Sequence, residues 1–151
     1  MLTDKETLEM VVLSSLDKVF DEGPSDGNQI SEGMALIDEK FSFQVAFKGS
    51  EKLNFKIESN TLTEVNIFKV GQVMSHLPVN EGHDEDILKG IPGLFPDVLY
   101  PVTLPTEVNG TAGQWHSFWI EISADSELVG NHEVDLIVEG LPAKKLKRYL
   151  H

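Results

Sequence analysis

The stretch Gln114-Trp115-His116-Ser117-Phe118-Trp119-Ile120-Glu121-Ile122-Ser123 decides how the chain is read. Phe118, Ile120 and Ile122 alternate with Ser117, Trp119 and Glu121, the period-two pattern of a strand with one face turned to a core. A second run, His132 to Val138, sets His132, Val134, Leu136 and Val138 against Glu133, Asp135 and Glu139. The connection from Ala124 to Asn131 contains Asp, Ser and Gly, so the two runs are expected to pair as a hairpin.

The same pattern recurs upstream. Phe41, Phe43, Val45 and Phe47 alternate with Ser42, Gln44, Ala46 and Lys48, and after Gly49-Ser50-Glu51-Lys52 the alternation resumes at Leu53, Phe55 and Ile57. This is the cleanest local hairpin signal in the chain, and with four of the eight phenylalanines it should supply one inner layer of the core. Leu8 to Leu13 is a nearly continuous apolar run, too short for an independent helix, and reads as a strand covered on both faces. Leu16 to Phe20 reads either as a helical turn or as a continuation of that strand, and Asp21 to Asn28 is dense in turn formers, so the chain must loop there. From Thr63 to Met74 the apolar set changes phase, from Val65 and Ile67 to Phe68 and Val70 with Gly71 following, as a β-bulge would require.

Between Ser75 and Thr111 the alternation fades and Pro78, Pro92, Pro96, Pro101 and Pro105 punctuate the segment. Proline at that density argues for an ordered loop hugging the surface, and a loop so long is more often functional or interface-forming than idle. Six to eight short strands and no amphipathic helix of ten or more residues predict an all-β fold, an antiparallel β-sandwich of immunoglobulin/fibronectin-like or jelly-roll-like type with a long proline-rich loop.

A chain of 151 residues has the size of one domain, with near-average hydrophobic (40%) and charged (25%) shares. Twelve Lys and Arg against twenty-five Asp and Glu leave a formal net charge of -13, which repels a phosphate backbone, so no nucleic-acid partner is expected. The one basic cluster, Lys144, Lys145, Lys147 and Arg148, reads as a solvated tail or domain junction. No cationic segment followed by an apolar run opens the chain, and no stretch approaches the ~20 apolar residues of a membrane span. The expectation is a cytoplasmic protein, or one trimmed of its signal, with no membrane partner.

Absence of cysteine excludes disulfides, thiolate metal sites and cysteine nucleophiles. His76 with His83-Asp84-Glu85-Asp86 is the best metal-ligand cluster, but it lacks a third ligand at a diagnostic spacing and the oxygen pattern of a calcium loop. No metal, no cofactor and no catalytic residue is therefore assigned. There is no nucleophile elbow and no glycine-rich phosphate loop. Trp115 and Trp119, four apart on a strand, share the face opposite Phe118, Ile120 and Ile122. They are the candidate interface or sugar-contact residues, with cover by the proline-rich loop as the structural alternative.

Three segments taken in order carry a family likeness. Glu39-x-x-Ser42-Phe43-Gln44, then Gly93-Leu94-Phe95-Pro96-Asp97-x-Leu99-x-Pro101, then Gln114-x-x-x-Phe118-Trp119-Ile120 followed by Gly130 resembles the N-terminal β-sandwich region of bacterial proteins related to glycoside hydrolase family 123, over about residues 8 to 140. In that family the sandwich precedes a TIM-type barrel that holds the catalytic acids, which act on N-acetylgalactosaminides by a substrate-assisted mechanism. The resemblance implies a sandwich over residues 1–140, a junction at 141–151 toward a C-terminal barrel absent from this sequence, and no catalysis by this chain itself. An accessory domain packing on a barrel of the same polypeptide is the first reading of function. A stand-alone carbohydrate-binding module is the alternative.

Overall fold

The computed structural model describes residues 9–49, 52–59, 64–82, 85–123, 130–138 and 144–150. Among them are ten strands and no helix: β1 (Glu9–Ser14), β2 (Glu32–Ala35), β3 (Lys40–Lys48), β4 (Lys52–Ser59), β5 (Val65–Ser75), β6 (Gly93–Val102), β7 (Thr106–Asn109), β8 (Trp115–Ser123), β9 (Gly130–Val138) and β10 (Lys144–Leu150). They form two open five-stranded sheets, β1-β3-β8-β5-β6 and β2-β10-β9-β4-β7. All pairings are antiparallel except that of β10 with β2. The all-β sandwich expected from the alternation is the observed architecture.

The core lies where the period-two pattern places it. Met10, Val12, Phe43, Val45, Phe47, Ile67, Phe118, Ile120 and Ile122 of the first sheet meet Phe55 and Leu136 of the second. Phe55 stacks across the gap on Phe118 at 5.0 Å between ring centroids, nearly parallel, and Phe47 stacks on the same ring at 5.7 Å. β1 is covered on both faces as its unbroken apolar run requires, since Met10 and Val12 enter this core while Leu13 packs with Val19 and Ala46 on the other side. β5 does carry a register shift against β6, but it falls between Gly71 and Gln72, beyond the phase change at Ile67/Phe68, where the pairing is regular. A Cβ at Gly71 would sit 2.6 Å from the exposed Tyr100 ring, which would have to turn aside.

Four expectations are corrected. The Phe41–Phe47 and Leu53–Ile57 runs do not pair: β3 lies in the first sheet and β4 in the second. The same holds for the stretch from Gln114 to Val138, where β8 pairs with β3 and β5 while β9 pairs with β4 and β10. Two strands facing one core from opposite sheets carry the same alternation as two strands of a hairpin, so the pattern reports the buried face and not the partner. The proline-rich segment is not all loop, because it contains β6 and β7, each at a sheet edge where a missing N–H costs no ladder bond. Finally, the basic cluster is not a solvated tail. Lys144–Leu150 is β10, inside the second sheet, and its register sets Lys145 opposite Asp135 and Lys147 opposite both Glu133 and Glu32.

Candidate functional site

The outer face of the first sheet is where polar chemistry gathers. Residues 15–28 fold back over β3 and β8, and Asp17 organises them. Only 5% exposed, its carboxylate accepts hydrogen bonds from the Ser25 hydroxyl (2.9 Å) and the amides of Asp26 (3.1 Å) and Gly27 (2.8 Å). The Gln44 side chain reaches up from β3 and donates to the carbonyls of Ser14, Ser15 and Asp17, while Gln72 on β5 donates to the Val19 carbonyl at 3.2 Å. A tight turn closes at Phe20 and Gly23 through reciprocal backbone bonds of 3.1 Å. Gly23 has φ of +149° and its Cα faces the Trp115 indole, so a side chain there would be strained whatever the space.

Both tryptophans are on the predicted outer face. Trp115 is half-buried against Leu13, Val19 and Ala46, and its backbone N–H donates to Asp21 O at 2.9 Å. Trp119 is half-buried beside a cleft of about 100 Å³ whose other walls include Lys18, Val19, Val70, Asp97 and Leu99. The cover over Trp115 comes from residues 15–28, upstream of the proline-rich segment. Around Trp119 both that loop and β6 contribute.

β5 pairs with β8 only from Val65 to Lys69, but with β6 as far as Ser75, so Val70–Ser75 and Gly93–Leu99 run on as a two-stranded arm. Lys89 fastens the arm to the loop. Its Nζ lies 5.2 Å from the centroids of both Phe20 and Phe95, pairs with Glu22 at 3.2 Å and donates to the Leu94 carbonyl at 3.1 Å. Phe20 meets Phe95 edge to face at 6.1 Å. An ammonium between two rings and a carboxylate is a favourable partly desolvated cation–π arrangement. Glu22 is held below the usual carboxylate range, first by a backbone hydrogen bond at Glu22, then by Asp21 and by Lys89.

This clasp holds apolar residues outward. Among the described residues eleven large hydrophobic side chains are exposed, and seven of them, Val73, Met74, Leu77, Leu88, Ile91, Leu99 and Tyr100, lie on β5, β6 or the segment between them. Leu77 is 89% exposed and Ile91 68%. Leu88 and Ile91 also line a cleft of about 370 Å³ with Phe20, Pro24 and Lys89. Among the described residues no three His, Asp or Glu side chains converge as metal ligands, and His83 and Asp84 of the cluster with His76 lie outside those residues.

Sequence reasoning placed the tryptophans on the outer face of their strand. It missed Lys89, Phe20, Phe95 and the Asp17 hub. No local signal marks them, because Lys89 and Glu22 are 67 positions apart and Gln44 and Asp17 are 27 apart.

No known family's profile matches the chain, and no curated protein matches it. Among solved structures, the fold is similar to that of a family 123 glycoside hydrolase from Clostridium perfringens, whose structure was used to describe glycolipid glycan hydrolysis. The TM-score is 0.66 and the identity 13%. The match covers 96% of this chain and 27% of that protein, so the present chain spans about a quarter of the hydrolase's length and shares its fold over that part.

Proposed function

We propose that this chain is a non-catalytic accessory β-sandwich of a larger glycosidase-like protein, and that it packs against a catalytic barrel through the β5–β6 arm. The observation that carries the reading is the concentration of exposed apolar side chains on a braced arm. An apolar surface held rigidly toward solvent is the feature that interfaces enrich and lone monomers avoid. The fold likeness supports it, since the hydrolase carries most of its length outside the matched part. The test is the coding sequence that follows His151. In the longer product, backbone amides of residues 73–100 should exchange more slowly with solvent than in the 151-residue chain. A coding sequence with no barrel-sized continuation, or equal exchange in the two forms, overturns the reading. Release of aryl alcohol from an aryl N-acetylgalactosaminide by the 151-residue chain alone would make it an enzyme instead.

A second reading, a stand-alone carbohydrate-binding module, has one observation in its favour: the cleft beside Trp119.

A further inference from the structure

We propose that the protein surface docking on the β5–β6 arm presents an apolar side chain flanked by lysine or arginine, and that this side chain enters the cleft between residues 20–25 and 88–91. The inference rests on the docking reading above and names the chemistry of the partner's face. The cleft has a volume of about 370 Å³, with Phe20, Pro24, Leu88 and Ile91 as its apolar lining and Glu22 and Lys89 among its polar members. That is the size of pocket an anchoring side chain fills. Leu88 is 66% exposed and Ile91 68%, so two aliphatic side chains stand at the cleft without cover from this chain. Phe20 is braced by the Phe95 ring and the Lys89 ammonium, so this wall is fixed before a partner arrives and little ordering remains to oppose binding.

Charge decides what accompanies the apolar anchor. From Val70 to Leu99 the sequence carries Glu81, Asp84, Glu85, Asp86 and Asp97 against a single Lys or Arg, Lys89. That cation is already committed, because its side chain is only 12% exposed and is held by Glu22 at 3.2 Å and by two rings. Glu22 keeps 67% of its side chain exposed at the cleft. Asp86 and Glu85, both exposed, stand two and three residues before Leu88, so their Cα atoms lie within about 7 and 11 Å of its own. Lys18, on the loop, lines the separate cleft beside Trp119 together with Asp97. An apolar cleft with an acidic rim repels phosphate-bearing partners, nucleic acid and anionic lipid alike. The complementary occupant is a protein surface with a basic rim, whose lysine and arginine stems extend over apolar neighbours while their charged ends reach the carboxylates.

The probe is a capped peptide with the apolar centre Leu-Phe-Leu between paired lysines, compared with a counterpart that has paired glutamates. Added at pH 7.5 and low salt to the isotopically labelled 151-residue chain, the lysine peptide should shift the backbone amides of residues 20–25 and 88–91 saturably. It should bind at least about tenfold more tightly than the glutamate peptide, the sum of a few exposed charge pairs. Leu88→Ser with Ile91→Ser, both at exposed positions, should abolish the saturable shift while the rest of the spectrum stays that of the folded chain. Glu85→Lys with Asp86→Lys should weaken binding about tenfold. A lysine peptide with serines at its centre should give no saturable shift, which separates docking from general attraction to an acidic chain. No saturable shift from the first peptide, equal affinity for both charged peptides, or binding undiminished in the Leu88→Ser, Ile91→Ser chain would each overturn the inference. The docking reading fails separately, in the longer product: slowed exchange there with no peptide preference here keeps the docking and removes the basic rim.

Discussion

The two sides of the β3–β8 pair are built on different principles. The inner side is a dry stack in which Phe47, Phe118 and Phe55 fill the space between sheets. The outer side is a polar clasp, in which Asp17, Gln44 and Gln72 pin residues 15–28 over Trp115 and Trp119. Non-directional burial suffices to hold two sheets together, whereas hydrogen bonds must be individually placed, so the inner side holds the sheets and the outer side fixes one loop in one position.

Substitutions on each side should separate these roles. Phe118→Ala removes a ring shared by two stacks and should cost about 3–5 kcal/mol, read from the urea midpoint at constant m-value. A loss below ~1 kcal/mol would mean that the sheets are not held by this stack. Asp17→Ala strands three donors and should cost about 2 kcal/mol, with faster exchange at the Asp26 and Gly27 amides and little change in the core. Equal acceleration in both layers would erase the distinction drawn here.

pH acts at the boundary. His116 stacks on Phe47 at 5.6 Å, its Nε2 is buried without a partner, and burial followed by the charge of Lys69 pushes its pKa below 6.5. The unfolded chain, titrating near the ordinary value of about 6.5, therefore binds the proton more readily than the folded one. The contribution of neutral His116 is fully present above that value and is lost as pH falls through the lower folded pKa. The stability of His116→Phe relative to the parent should thus rise between pH 7.5 and pH 5, and a pH-independent difference would count against it. The smallest effect belongs to the arm: Leu77→Ser should change stability by less than ~0.5 kcal/mol, since a side chain so exposed contributes to no core.

What could be read from the residues follows the same division. Alternation at Phe43, Val45 and Phe47 and the shared face of Trp115 and Trp119 are local facts of a pleated strand and are seen in the fold, whereas the register shift in β5 falls at Gly71/Gln72, beyond the phase change at Ile67/Phe68. Strand partners were not legible, since β3 and β4 present identical alternation whether they pair with each other or face each other across the core. The clasp was not legible either: Lys89 reads as one more charged loop residue until Phe20, Glu22 and Phe95 converge on it. Proline misled in β6, where Pro96 and Pro101 occupy an edge that tolerates them.

The placement of β10 has a consequence for how the molecule assembles. Among the described residues β2 ladders with β10 alone, more than a hundred residues later, and β10 also pairs with the side of β9 away from β4. Such a pairing raises the contact order and slows the search for the native topology. During synthesis the second sheet must wait for its last-made strand, with β9 presenting a bare edge in the meantime. A product cut after residue 140 would be caught permanently at that stage, with Glu32–Ala35 unattached and β9 open to pairing with another chain.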